Sequence, residues 1–301
     1  MLRTFTQRLL GTAVFLLALP SFAQEDLPKS AQDQAKESTG ATDVTTDKVQ
    51  TADRTKDEAE ARKNATELSL SAGALQASGN AELLALTTAS RFRLRREDNQ
   101  LKLAFAGNYA RSGPGGATET QTTVQNVQGL ARYDLFLGNV SLFSGVQLRN
   151  DRFQGLDLRT QFDPGVAYYF VNQKKLLFWG EIGYDLLHDV RREESRTVRD
   201  ADGNPTGEIA AKTRTLHSAR VFVGYEHALS ETTKLTAGLE FMQGINKGDI
   251  RRLNGDITLT TKLYKALSFS FSFSERYESR PVPGKRDLDT TSAASLVYTV
   301  L

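Results

Sequence analysis

The chain has 301 residues, a formal charge of +2 and 39% hydrophobic content, and it contains no cysteine. The missing thiols exclude a disulfide framework, a thiolate metal site and lipid attachment at a cysteine, so stability must come from packing and backbone pairing. The near-neutral charge gives no overall attraction to nucleic acid or anionic lipid.

Residues 1–23 open with Arg3 and Arg8, continue through an apolar run over 9–19, and end on Ser21, Phe22 and Ala23. This three-part arrangement predicts a secretory signal peptide cleaved after Ala23. The apolar run is about 11 residues, short of the about 20 that a helix needs to cross a bilayer, so cleavage is favoured over anchoring. Removing Arg3 and Arg8 takes the formal charge from +2 to zero. Beyond residue 23 no apolar run approaches the about 18 residues of a membrane helix, which rules out a helical membrane protein. A β-barrel survives that test, because half of each spanning strand faces a polar interior.

Residues 24–63 hold no aromatic side chain, and Leu27, Val44 and Val49 are their only large aliphatics. Such a stretch cannot bury enough surface to offset the entropy of ordering it, which predicts a flexible, disordered periplasmic extension with at most transient helix over 53–63. A peptidoglycan tether is the weaker reading, since charge-rich solvated tails are common.

From Asn64 onward, short segments alternate apolar and polar residues between turn signals, the period of a strand. The clearest is LSFSFSFS over 267–274, where Leu267, Phe269, Phe271 and Phe273 oppose four serines. Leu235, Leu239 and Phe241 oppose Thr236 and Glu240. Ile257 and Leu259 oppose Asp256 and Thr258. Phe178 and Ile182 oppose Trp179, Glu181 and Asp185. Leu101, Leu103 and Phe105 oppose Lys102 and Ala104. About twelve strands are predicted, at roughly 66–74, 82–96, 100–111, 122–137, 140–152, 156–171, 174–189, 213–228, 232–246, 250–264, 266–279 and 286–300.

An even count returns both termini to one side. Connector lengths agree: short links at 138–139, 171–173, 229–231 and 265 interleave with longer ones at 112–121, 190–212 and 280–285, blurred only at 95–100 and 246–249. Barrels of this kind have short periplasmic turns and longer outer loops, which predicts periplasmic termini. Tyr109, Tyr133, Tyr168, Phe170, Tyr184, Tyr225, Tyr277 and Tyr298 sit toward strand ends on apolar faces, as an aromatic girdle would. Ala294, Leu296, Tyr298 and Val300 alternate along the last strand, which resembles the segment by which outer-membrane proteins are recognised for assembly, although an aromatic is usual at the end and this chain has Val300 and Leu301.

The competing fold is a secreted β-sandwich, whose polar faces would meet bulk water and favour Lys, Glu and Thr. Here they carry Gly, Ser, Gln and mixed charges, including Arg132 with Asp134, Arg149 with Asp151 and Arg159 with Asp163. The expected fold is therefore all-β, a transmembrane antiparallel up-and-down barrel over 64–301 in the outer membrane of a Gram-negative bacterium, with outer-membrane lipid and the assembly machinery as its partners and no nucleic acid.

The segment RNDRFQGLDLRTQFDPG over 149–165 resembles the signature of the YdiY-like salt-induced outer-membrane proteins, a family whose domain has no assigned function. The Ser78, Gly79, Asn80 turn and the aromatic VAYYF over 166–170 support it, and the resemblance covers about residues 64–301. It implies an outer-membrane barrel and little chemistry. Within the motif, Arg149, Asp151, Arg152, Phe153, Gly155, Asp157 and Arg159 surround a tight outer-side connection with charges able to pair across it. A structural clasp is the leading reading, a ligand or ion contact the other.

Catalysis is not expected. A strand-borne serine site wants His and Ser at i and i+2, but His217 precedes Ser218 directly and neither His188 nor His227 has a serine at that spacing. His188, Asp189, Glu193 and Glu194 cluster at the edge of the long loop, where a solvated charged loop is the simpler account. Residues 200–203 (DADG) lack the closing glutamate of a calcium loop. No cofactor or metal is predicted.

The lumen wall is more informative. Arg91, Arg93, Lys102, Arg132, Arg159, Arg220 and Lys262 interleave with Asp134, Asp163, Glu181, Asp185, Glu226, Glu240 and Asp256. Such charges select ions in a pore, and paired across a narrow barrel they close it. Three functions follow: a structural or stress-related barrel filled by its own side chains, a passive channel for ions or small solutes, and, remotely, an outer-membrane hydrolase.

Overall fold

The computed structural model describes residues 64–77, 81–114, 120–173, 175–199, 204–283 and 285–300. The predicted signal peptide and extension, the turn at 78–80 and the segment 200–203 lie outside the described residues.

Seven strands come first: β1 (Asn64–Ala77), β2 (Ala81–Arg96), β3 (Asn99–Pro114), β4 (Gln121–Leu137), β5 (Val140–Asp151), β6 (Leu156–Asn172) and β7 (Leu176–Arg191). A short hairpin follows, β8 (Thr197–Arg199) with β9 (Pro205–Ile209), and then β10 (Thr213–Ala228), β11 (Thr233–Gly244), β12 (Arg251–Tyr264), β13 (Leu267–Glu278) and β14 (Leu288–Thr299). All but the hairpin close into one barrel of twelve antiparallel strands in up-and-down order, sealed by β14 against β1. The alternation predicted β10 over its observed span, and the other barrel strands shift at their ends by a few residues. The connector at 190–212 holds more structure than the sequence signalled: a 3-10 turn (Glu193–Ser195) and the β8–β9 hairpin. Both are too short to carry a readable periodicity.

The barrel is inside out relative to a soluble protein. On β7, Ile182 is 66% exposed while its neighbour Glu181 is 1% exposed. The same inversion places Leu103, Phe105, Leu239, Phe241, Ile257, Leu259, Phe269 and Phe271 on the outer wall, and Lys102, Glu240, Asp256, Thr258 and Ser274 inside. An apolar outer belt with a polar interior is what a bilayer requires of a strand-built wall, since a closed barrel leaves no backbone group unpaired in hydrocarbon. Barrel strands of 12–17 residues exceed the about 9 to 11 needed to cross, so they project beyond the belt. Tyr133, Tyr168, Phe170 and Tyr298 are exposed near one rim and Tyr277 near the other, while Tyr184 and Tyr225 are half-buried.

The two rims differ. At the terminal rim, which carries the start of β1 and the end of β14, tight turns at Glu97 and Asp98, Gly138 and Asn139, and Lys265 and Ala266 join neighbouring strands. Glu97, Gly138 and Lys265 take the positive φ such turns demand. The opposite, loop rim carries the longer connectors between β3 and β4, β7 and β10, and β13 and β14. The closing seam is the shortest pairing: β1 and β14 are registered from Ser69↔Thr299 to Ala72↔Leu296, whereas β1 and β2 are registered from Asn64↔Arg96 to Ala77↔Leu83.

Candidate functional site

The candidate site is the lumen. Strand alternation delivers every second side chain to it, and β4, β7, β10 and β11 deliver charge at matching heights. Arg132 on β4 donates Nη2 to Asp134 Oδ1 at 2.8 Å and to Glu181 Oε1 at 2.8 Å, and Nη1 to Glu181 Oε2 at 3.2 Å. β5 and β6 stand between β4 and β7, so this bond crosses the interior. Arg220 on β10 donates to Glu181 Oε2 at 2.9 Å and to Glu240 Oε1 at 2.5 Å, and Asn254 Nδ2 reaches Glu240 Oε2 at 2.8 Å. In the other direction Gln100 bonds Asp134 at 3.4 Å, and Arg93 bonds Gln100 at 3.0 Å and Glu67 at 2.8 Å. One polar line therefore runs from β1 to β12. Charges removed from water this completely need multiple hydrogen bonds to be tolerated, and the arginine fork supplies them.

Against this line, toward the terminal rim, lies a feature the alternation did not announce. Phe143, Ala167, Leu177, Trp179 and Phe222 form a buried apolar cluster inside the lumen, with Tyr169 packed on it. The Arg132 guanidinium lies 4.0 Å from the Phe143 ring centre, and Trp179 Nε1 donates to Glu181 Oε1 at 3.2 Å. Gly224 is required here, because a Cβ at that position would fall 2.2 Å from the Trp179 ring. Trp179 was placed on the polar face from sequence, and its phase is right. The structure adds what the alternation did not give: Phe143, Leu177 and Phe222 join Trp179 in an apolar cluster on the inward face.

A second charged level closes the loop rim. Arg159 on β6 grips Asp189 at 2.7 and 2.9 Å and reaches Glu278 on β13 at 3.3 Å. Arg214 on β10 donates Nη2 to Asp189 at 2.7 Å and to Glu278 at 2.5 Å. Along the wall β7, β10, β11 and β12 separate β6 from β13, so Arg159 to Glu278 spans nearly the whole lumen. Between the levels, Arg252 pairs with Asp185, which also accepts from Gln161 at 3.0 Å, and Arg276 pairs with Asp256 at 2.8 Å.

The 149–165 motif forms the lid of this level. Arg149 bonds Asp151 at 2.7 Å, and Asp151 Oδ1 accepts the backbone N–H groups of Phe153 and Gln154, each at 3.0 Å. That capping turns the chain tightly. Gly155 has φ +70°, and a Cβ there would meet Ser195 at 2.6 Å and Val282 at 3.2 Å. Gln154 extends across to Asp289 on β14 at 2.6 Å, and Asp157 pairs with Arg192 at 3.3 Å. The turn thus joins three loop-rim segments, while Arg152 and Phe153 point outward and are exposed.

Of the other lumen charges read from sequence, Lys102 and Asp163 are buried in the wall, Arg91 is half-buried, and Glu226 is buried with Lys234 at 4.0 Å. Lys262 departs from the expectation: it is exposed beside the register irregularity between Lys262 and Tyr264 near the terminal rim. Sequence reasoning missed Arg214, Arg252, Glu278 and Gln154. The first two stand in phase with Arg220 and Asp256, so continuing the twofold period toward the loop rim finds them. Asp189, considered with the histidines for hydrolysis, is instead held by two arginines. His188 bonds Thr215 at 2.9 Å, His227 bonds Tyr225 at 2.9 Å, and His217 contacts Tyr184. Among the described residues no group of His, Asp or Glu is arranged to hold a metal ion.

Fold and lumen together define a transmembrane β-barrel whose interior carries networked charge and a small aromatic core. The chain belongs to the family described as protein of unknown function, DUF481, whose profile matches residues 70–300. That agrees with the resemblance read from 149–165. No curated protein matches the chain. Among solved structures it is similar to the NanC porin (12% identity, 79% of this chain and 100% of that one, TM-score 0.45). It is also similar to the translocator domain of the autotransporter NalP from Neisseria meningitidis (12% identity, 90% and 95%, TM-score 0.43). An outer membrane channel from Pseudomonas putida F1 is a third (11% identity, 78% and 94%, TM-score 0.40).

Proposed function

We propose that the protein is a non-catalytic outer-membrane barrel of a Gram-negative bacterium, closed by its own side chains and serving a structural or stress-related role in the envelope. The observation that carries this is the pair of cross-lumen contacts, Arg132 to Glu181 and Arg159 to Glu278, at two heights. An open porin keeps its lumen charges on the wall and in water. Here Glu181, Asp185 and Asp189 are at most 1% exposed. Short turns beside the termini and long loops opposite support periplasmic termini. The alternating β14 is the segment that the assembly machinery would read.

A passive channel for ions or small solutes is the second reading. It is favoured by the middle of the wall of β13, β14, β1 and β2, where Ser71, Thr87, Ala89, Ser274 and Ala293 are small inward side chains between the charged groups nearer the rims. Refolded protein in a planar bilayer separates the two. The closed barrel gives no steady current after heat-modifiable gel mobility has established folding, and stepwise ohmic conductance would overturn it in favour of the channel.

A further inference from the structure

Beneath the Gln154 turn, at the loop-rim charged level, lies a cavity of about 70 Å³. This exceeds the roughly 10 to 15 Å³ that one water needs, so it admits a small ion with part of its hydration. Its wall is markedly cationic: Arg149, Arg159, Arg252, Arg276, Lys285 and Arg286 line it, against the carboxylates of Glu278, Asp287 and Asp289. The remaining counter-charges stand behind the arginines. Asp151 holds Arg149, Asp185 holds Arg252, Asp189 holds Arg159, and Asp256 holds Arg276, and none of these four aspartates lines the cavity. Each guanidinium is therefore anchored from behind. A guanidinium carries five donors in a planar fork, so anchoring one side leaves others to act.

One lining arginine also keeps donor capacity in reserve. Arg252 is 5% exposed, and its Nε has no hydrogen-bond partner. A buried donor left unmade is costly, and in native proteins it calls for an explanation. On the same wall Asn254, Gln147 and Gln161 add neutral polar groups.

We propose that this cavity is a binding site for a small tetrahedral oxyanion of the inorganic phosphate or sulfate class. Arginine forks match oxyanion geometry in a bidentate way, and the second row of aspartates pre-sets the forks before the anion arrives. Lys285 and Arg286 are exposed at the loop-rim edge, where they place positive charge at the entrance. The site is independent of whether the barrel conducts, since a closed lumen retains the anion and a conducting one delivers it.

The test is isothermal titration of the refolded full-length barrel in detergent with inorganic phosphate, then sulfate, at constant ionic strength set with chloride. Saturable one-site binding, with a rise in the unfolding midpoint as the anion is added, is expected. The double variant Lys285→Gln with Arg286→Gln changes only exposed side chains and should weaken binding several-fold. Arg252→Gln combined with Asp185→Asn removes the buried pair together and should weaken it by about tenfold or more, the scale of losing a charge-assisted bond. Heat-modifiable mobility checks that each variant folds. Anionic lipid vesicles in place of free phosphate identify the source: competition by vesicles would move the site to lipid headgroups and overturn the free-anion proposal. Absence of heat and of any midpoint shift in folded wild type would also overturn it, as would a chloride effect of equal size or equal affinity in both variants.

Discussion

Two walls of the same barrel are built on different chemistry. The wall of β4, β7, β10 and β11 turns Arg132, Glu181, Arg220 and Glu240 inward and backs them with Phe143, Trp179 and Phe222. The wall of β13, β14, β1 and β2 turns inward Ser71, Ala85, Thr87, Ala89, Ser274 and Ala293, and it contains the short seam between β1 and β14. At mid-height the long arms of the charged wall face small residues, while at the loop rim Arg159 of β6 meets Glu278 on β13. The comparison teaches that this barrel is filled asymmetrically at mid-height, by long arms from one side, and that its closure there depends on a few residues of the charged wall.

The sharpest way to break the comparison is to add bulk on each side. Gly224→Val would place side-chain carbon against the Trp179 ring, where a Cβ already stands 2.2 Å away. The Trp179 ring is 2% exposed and packed against Tyr169 and Phe222, so it has little room to give, and heat-modifiable folded protein should be lost on gels. Ala293→Val on the small-residue wall should retain it. If both fold equally, the asymmetry is not energetic.

Removing charge comes next. Arg132→Leu strips Asp134 of its arginine and Glu181 of one of its two. Leaving a buried carboxylate uncompensated costs about 3 to 5 kcal/mol, which urea unfolding in a bilayer or detergent host would read. Arg159→Met should cost less, about 1 to 3 kcal/mol, because Arg214 still holds Asp189 and Glu278. At the small end, Ser71→Ala loses only a 3.5 Å contact to the Ala89 carbonyl. It should fall within about 0.5 kcal/mol, a shift near the noise of the same denaturation series.

Much of this was legible in the sequence, for a physical reason. Strand alternation has a period of two, so once Phe269 and Phe271 are set outward the phase of Ser268 and Ser270 follows, and turn residues such as Gly138 and Lys265 fix where each strand ends. The inward direction of Arg132, Asp134, Glu181 and Arg220 was readable from that phase. Their partners were not. Which β4 side chain meets which β7 side chain depends on strand stagger and barrel width, and neither is encoded locally. Asp163 illustrates the limit: it was paired by proximity in sequence with Arg159, but Arg159 turns to Asp189 and Glu278. The inward Phe143 and Leu177 were hidden for the same reason, since an apolar residue in the polar phase reads as a lapse of pattern until its neighbours across the lumen are known. The DRFQG turn was recognisable as a clasp, while its reach to Asp289 through Gln154 needed the closed barrel.

The central claim is that side chains of the charged wall close the lumen. Single-channel recording of refolded wild type beside Arg132→Ala tests it most directly. Wild type should be electrically silent, and Arg132→Ala should show current with cation preference, because Asp134 and Glu181 remain while the arm that crosses to β7 is gone. Steady conductance in wild type, unchanged by the substitution, would contradict it.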